Sequence, residues 1–329
     1  MIKKGNPAII RIVISACALG LVFYASRGKL LDAFSYFSEM DFIPLLAGVV
    51  IMFGSLFVVS QRLRLILSVQ GVFVPRLRLY YLWMISLFFN LFLPSAIGGD
   101  IAKAYYIYKD SGRKAAAVSS VLVDRFLGLA ASVSIAAIAF FLVRPRIRHP
   151  QIGVVLICFL TIIIVGSLFV LSHRFSAPLK TMMLYMLPRP LRFKLEGFFD
   201  ALGHYRKGRK DFLVGYGYSI LAQSLFIIMF YFLARSLQIQ LPVGLFFLLI
   251  PLVGLCSMIP SIGGLGVREA AIVYLFKSYL PVQQALAFSL LVALFLYGIG
   301  GACGILYGVR GGAVTHDVER MEVSVKGDS

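Results

Sequence analysis

Six ionisable residues stand in or beside long apolar stretches of the chain: Asp100, Lys103, Asp124, Arg125, Arg268 and Glu269. Burying such a group at membrane depth costs a few kcal/mol on insertion scales, so chains that keep one commonly use it for a ligand or an ion. Three are acids and three are bases, and pairing between them lowers the cost. Asp124 and Arg125 are adjacent, so on a helix they point to different faces and need other partners. Four of the six follow breaks of one type, Pro94-Ser95-Ala96-Ile97-Gly98-Gly99-Asp100 and Pro260-Ser261-Ile262-Gly263-Gly264-Leu265-Gly266. Proline ends a helix, and the glycines permit backbone angles other residues resist. The helix that follows begins with free N–H groups and a partial positive charge. With Lys103 or Arg268 beside it, such an end suits a phosphate. Asn90 lies just before the first break, where it can satisfy freed backbone groups or touch a ligand. The candidate substrate-contacting set is therefore Asn90, Ser95, Gly98, Gly99, Asp100, Lys103, Asp124, Arg125, Ser261, Gly263, Gly264, Gly266, Arg268 and Glu269.

Other chemistries find little support. There is no Walker A loop, no GxSxG elbow and no zinc motif. His149, His173, His204 and His316 lack metal-ligand spacing. Cys17, Cys158, Cys256 and Cys303 form no CxxC pair and read as small buried hydrophobes. No catalytic residue, metal or cofactor is expected. An enzyme acting on a lipid phosphate or glycan would need a general base, with only Asp100 or Asp124 to supply it.

The elements holding these residues are membrane helices. The 329 residues are 60% hydrophobic and 14% charged, too apolar for a soluble domain. Runs long enough to cross a bilayer core are Ala8–Tyr24, Ile43–Ser60, Ala115–Val143, Ile152–Leu171, Phe212–Leu233 and Ala285–Val309. The first could serve as a signal peptide, but no small-residue cleavage site follows it. The 32 basic residues exceed the acids by 18. They flank spans, as the positive-inside rule requires, and no nucleic-acid-binding module is present. Lys3, Lys4 and Arg11 place the N-terminus inside, and Arg62, Arg64, Arg76 and Arg78 form a second cytoplasmic cluster. Leu79–Leu93 then runs apolar to the first break, and Lys103, Lys109, Arg113 and Lys114 are basic again. A re-entrant segment keeps both clusters on one side. Val243–Ile259 enters from outside and breaks at Pro260 in the same manner. Leu179–Tyr205 reads as an amphipathic surface stretch, Tyr105, Tyr106 and Tyr108 as an interfacial belt, and 311–329 as a disordered cytoplasmic tail.

The two halves repeat. Both breaks read Pro-Ser, Ile-Gly-Gly, then a base, and both are followed by an Ala-rich span. The first half, 1–150, begins inside; the second, 151–310, begins outside. This is the inverted duplication common in secondary transporters. Counting from Ala115 and Ala285, Asp124 and Arg125 correspond to Leu294 and Phe295, so the fold does not itself demand charge there. The expected architecture is all-α, about six transmembrane helices plus two re-entrant broken helices in two inverted-topology repeats. It would be integral to the cell (inner) membrane with both termini cytoplasmic.

Asn90-Leu-Phe-Leu-Pro94, Gly98-Gly-Asp100 with a base three residues on, Ser119–Gly128 and, more specifically, Pro260–Ala270 resemble motifs of the flippase-like family that includes the transmembrane region of lysylphosphatidylglycerol synthases. The resemblance runs from about Arg11 to Arg310. It implies movement of a lipid between leaflets, with aminoacylated phospholipids and polyprenyl-linked sugars as cargo classes. Lys103 stands where the family pattern has Arg, and Phe295 where a base is frequent, so the headgroup preference is open. No soluble aminoacyl-transfer or glycosyltransferase domain is expected at either end. The alternatives are a non-catalytic membrane partner of a separate synthase or glycosyltransferase, and a membrane-embedded lipid-modifying enzyme.

Overall fold

The computed structural model describes residues 20, 30–92, 98–143, 151–171, 209–259, 261 and 264–309. Ten helices and no strand occur among them: α1 Leu30–Ser38, α2 Phe42–Val69, α3 Arg76–Phe92, α4 Gly98–Ser111, α5 Lys114–Leu142, α6 Ile152–Leu171, α7 Arg209–Ser236, α8 Val243–Cys256, α9 Val267–Phe276 and α10 Val282–Val309. Four of them, α2, α5, α7 and α10, are long and apolar enough to cross a membrane. At about 1.5 Å per residue, 28 residues reach about 42 Å, more than the roughly 30 Å hydrocarbon core. Shorter apolar helices lie between them, so the chain is an integral membrane protein, all-helical among its described residues. Four of the six expected spans recur with changed ends, and Ile152–Leu171 recurs as a shorter apolar helix. The second extends nine residues beyond Ser60, to Val69. The Ala8–Tyr24 span, apart from Gly20, lies outside the described residues, as do Leu179–Tyr205, the four histidines and the 311–329 tail.

Local sequence explains the boundaries. The Asp41 carboxylate accepts a hydrogen bond from the Ile43 N–H at 2.9 Å and caps α2. Pro75, Pro242 and Pro281 each immediately precede a helix, where a missing N–H costs nothing. Gly112 ends α4 in a left-handed conformation at φ 70°, with its N–H bonded to the Tyr108 carbonyl at 2.7 Å.

Element lengths recur along the chain. Helices of 28, 17, 14 and 29 residues (α2 to α5) are followed, after α6, by helices of 28, 14, 10 and 28 residues (α7 to α10). In each run the two short helices form a hairpin. The first is tied at its open end, where Arg78 near the start of α3 meets Asp110 near the end of α4. The second is tied by aromatics: Phe246 at the start of α8 lies 5.5 Å from Phe276 at the end of α9, centroid to centroid.

The chain divides into two compact units, each drawing on both halves of the sequence. The first takes Met1–Gly54, Leu82–Ala102 and Leu225–Ser329, the second Ser55–Tyr81 and Lys103–Ser224. In the first unit, α9 packs on α8 and α10, and α1 packs on α10. Phe246, Phe276 and Phe288 are fully buried with centroids 5.3–6.1 Å apart. Gly300 and Gly304 of α10 let Leu91 and Phe88 of α3 approach the backbone, and Tyr307 stacks edge-on with Phe89 at 5.7 Å. In the second unit, Ile66, Val123 and Leu127 form a core with Val69, Phe212 and Tyr216 against it. Cys303 is buried, but Cys158 and Cys256 are exposed, against expectation; on apolar helices such a face meets lipid rather than water.

Candidate functional site

Four of the six charged candidates fall into two clusters, Lys103 and Asp124 in the second unit and Arg268 and Glu269 in the first. The cluster in the second unit centres on Asp124, in the middle of α5. Arg62 of α2 donates from Nε to Asp124 Oδ1 at 2.6 Å, and from Nη1 to the Ser219 hydroxyl of α7 at 3.1 Å. Ser219 in turn donates to the Gly215 carbonyl at 2.9 Å. Lys103 of α4 places Nζ 3.9 Å from Asp124 Oδ2. Arg62, Lys103, Asp124 and Ser219 are 4%, 2%, 1% and 1% exposed, so two bases share one carboxylate with almost no water. Gly128, one turn beyond Asp124, faces the same guanidinium: its Cβ position lies 3.4 Å from Arg62 Nη1, at van der Waals contact. Nearby, Gln70 donates to Ser119 at 3.1 Å, both buried.

Arg62 corrects the sequence reading, which placed it among the cytoplasmic flanking bases. Because α2 continues to Val69, Arg62 lies inside the helix, on the face of Ile66 and Val69, and is ion-paired. That i, i+4, i+7 spacing was the available signal. Asp124 does find a partner other than Arg125, as the helix geometry required. Arg125 itself is half-buried on another face.

The cluster in the first unit is local to the start of α9. Glu269 reaches back to the Gly266 N–H at 2.6 Å, satisfying one of the four orphan donors of a helix start. Its other oxygen takes Arg268 Nη2 at 2.9 Å and Nε at 3.2 Å. Arg268 also lies over the Tyr297 ring of α10 at 5.3 Å, a cation–π contact the sequence did not flag. Gly264 and Gly266 have φ of 82° and 84°, the conformation foreseen for glycine there. Replacing Gly266 by Ala is expected to destabilise by about 1–2 kcal/mol, the cost of a left-handed non-glycine residue, measured as a lower unfolding midpoint in detergent. Ser261 is buried, with its hydroxyl donating to the Ile259 carbonyl at 3.3 Å. Ser95 and Gly263 lie outside the described residues.

At the first break the Asn90 side-chain oxygen accepts the Gly99 N–H at 2.8 Å, so Asn90 caps the returning helix α4. Gly98 and Gly99 are helical rather than left-handed. Gly99 is required for another reason: a Cβ there would collide with the Ser86 carbonyl and hydroxyl and with the Asn90 amide. Asp100, in the first turn of α4, is half-buried.

The open end of this hairpin is closed twice. Arg78 binds Asp110 in a two-pronged ion pair at 2.8 and 3.1 Å. Arg113 donates to the Gln70 carbonyl at 2.9 Å. The loop before α3 and the loop after α4 are thereby brought side by side. Tyr106 lies under Arg78, at 5.9 Å, and is buried. It therefore packs inside the protein, whereas the sequence placed it in an interfacial belt with Tyr105 and Tyr108. Among the described residues no three His, Cys, Asp or Glu side chains gather as a metal-ligand set.

The sequence motifs resembled one family of membrane regions, and comparison with known families agrees with that resemblance. Residues 8–304 match the family described as the lysylphosphatidylglycerol synthase TM region. The chain belongs to this family. No curated protein and no solved structure matches it. Membership makes it the membrane region of a family linked to lipid modification and flipping. Both charge clusters, from Arg62 to Arg268, lie within the matched residues.

Proposed function

We propose that the chain moves a phospholipid with an anionic or amino-modified headgroup, or a polyprenyl-linked precursor, between leaflets, without catalytic chemistry of its own. The carrying observation is the pair of helical hairpins, each bringing a largely buried base into the first two turns of its returning helix: Lys103 in α4 and Arg268 in α9. A helix start adds partial positive charge to that base, and together they attract a phosphate. The buried Asp124 carboxylate has one oxygen bonded to Arg62 and the other near Lys103, which makes it a poor general base and weakens an enzymatic reading.

The candidate contacts remain those named from the sequence, with Lys103 and Arg268 as headgroup binders. Asn90, Gly99, Gly264, Gly266 and Glu269 shape the breaks that present them. The recurring helix lengths support a duplication at 1–150 and 151–310. An odd number of crossings between the two runs inverts the second. The paired loops at the open end of α3 and α4 support a re-entrant hairpin, both ends of which face the cytoplasm.

Labelling tests that arrangement. In a background lacking Cys17, Cys158, Cys256 and Cys303, cysteines at the exposed positions Phe73 and Ala115 are expected to react only from the cytoplasmic side, and one at Pro281 only from the other. Opposite accessibility at Phe73 and Ala115 contradicts re-entry. Transport itself is tested by leaflet transfer of a fluorescent anionic phospholipid in vesicles containing the purified chain.

A further inference from the structure

We infer that the second unit carries a binding site for an anionic phospholipid, separate from both buried charge clusters, in the groove between the end of α2, the 72–75 loop and the start of α7. The groove measures about 580 Å³, and Gln61, Arg64, Ser68, Arg76, Val214 and Tyr218 line it. Arg64 and Ser68 are one turn apart, on the side of α2 away from Arg62.

The arginines of this region divide sharply. Arg62 is held by Asp124, Arg78 by Asp110, and Arg113 by the Gln70 carbonyl. Arg64 and Arg76 are exposed and make no hydrogen bond or ion pair with another described residue. They line the same groove, so two exposed guanidinium groups converge on one space. Guanidinium donors match phosphate oxygens in pairs, which a chloride does not exploit, and two positive groups favour a net-anionic phospholipid over one whose phosphate charge is cancelled by a quaternary ammonium.

The rim specifies an amphiphile rather than a free anion. Phe73 and Val214, which both line the groove, are 84% and 52% exposed. Large apolar side chains clustered in this way are costly in water but settle at the boundary between headgroups and acyl chains. A phosphate bound between Arg64 and Arg76 leaves its acyl chains to lie on Phe73 and Val214. The site requires only that the chain sit in a bilayer, and it stands or falls apart from leaflet transfer.

Native mass spectrometry of the full chain in neutral detergent tests it, with phosphatidylglycerol and phosphatidylcholine titrated in parallel. Phosphatidylglycerol is expected to bind at least tenfold more tightly than phosphatidylcholine. Arg64→Gln and Arg76→Gln should each weaken it about fivefold, the contribution of one base near an anionic surface. Together they should weaken it about 25-fold by the same estimate. Phe73→Ser should weaken both lipids alike. All four variants replace exposed side chains, and an unchanged gel-filtration profile confirms that they fold. Inorganic phosphate at the same concentration should not displace the lipid. Equal binding of the two lipids, full binding by the double arginine variant, or displacement by inorganic phosphate each overturns the assignment. Loss of transfer by Arg268→Ala bears only on the transport reading.

Discussion

Asp124→Ala is expected to be among the most damaging single substitutions in the chain. It leaves Arg62 and Lys103 buried without the carboxylate they share. Removing one partner of a buried ion pair costs about 3–5 kcal/mol, because the remaining charge has neither water nor a counter-ion. A folded state is typically stable by about 5–15 kcal/mol, so the loss should show as reduced monodisperse protein on gel filtration and a much lower unfolding midpoint. Arg62→Ala should cost less, since Lys103 still neighbours the carboxylate. Ser219→Ala, which removes one hydrogen bond to a charged group, should cost about 1.5–3 kcal/mol. The double variant Arg62→Ala/Asp124→Ala should be more stable than the sum of the single losses by at least about 1 kcal/mol. Strict additivity would show that the 2.6 Å contact carries no coupling.

Gly99→Ala is expected to disrupt the first hairpin, and its neighbours explain why. The added methyl meets the Ser86 carbonyl, which is backbone and cannot rotate away, as well as the Ser86 hydroxyl and the Asn90 amide. Overpacking of a tight contact costs about 1–3 kcal/mol and more where backbone must move. The displacement also pulls the Gly99 N–H from Asn90, leaving a helix-start donor unsatisfied. Ser86→Ala in the same chain should give little rescue, because the carbonyl stays. Gly298→Ala is the control: nothing lies within 4 Å of its Cβ position, and alanine favours a helix by about 1 kcal/mol. If the two glycine variants behave alike, close approach is not the reason for Gly99.

How far the sequence foretold these features depends on the type of signal. The restart of the helix at α9 was legible because glycines such as Gly264 and Gly266 act through local backbone chemistry. The α9 start is positioned by such groups, with Gly264 and Gly266 left-handed and Glu269 on the Gly266 N–H. Asn90 as a cap was legible for the same reason. Arg62 was not, because the positive-inside rule counts bases near a span end without asking which helix face they occupy. Arg62 and Arg64 are two residues apart, yet one is buried on Asp124 and the other lines an open groove. The same limit applies to Tyr106 and to the exposed cysteines, whose surroundings are set by elements distant in sequence. Gly99 combined both cases: its identity was noted for backbone freedom, but its need arises from Ser86, thirteen residues earlier in the chain.

Under the proposed function, the buried bases at the two breaks, Lys103 and Arg268, hold a lipid headgroup during transfer between leaflets. The most direct measurement compares vesicles containing the wild-type chain, Arg268→Lys and Arg268→Ala at equal protein content, each loaded with a fluorescent anionic phospholipid. Loss of outer-leaflet fluorescence to a membrane-impermeant quencher reports transfer. Wild type should expose the inner-leaflet pool far faster than protein-free vesicles. Arg268→Lys should retain part of that rate, since charge persists without the paired donors. Arg268→Ala should fall to the protein-free rate while eluting as a folded species. Full transfer by a folded Arg268→Ala chain would contradict the account, leaving Arg268 as a structural partner of Glu269 and Tyr297 alone.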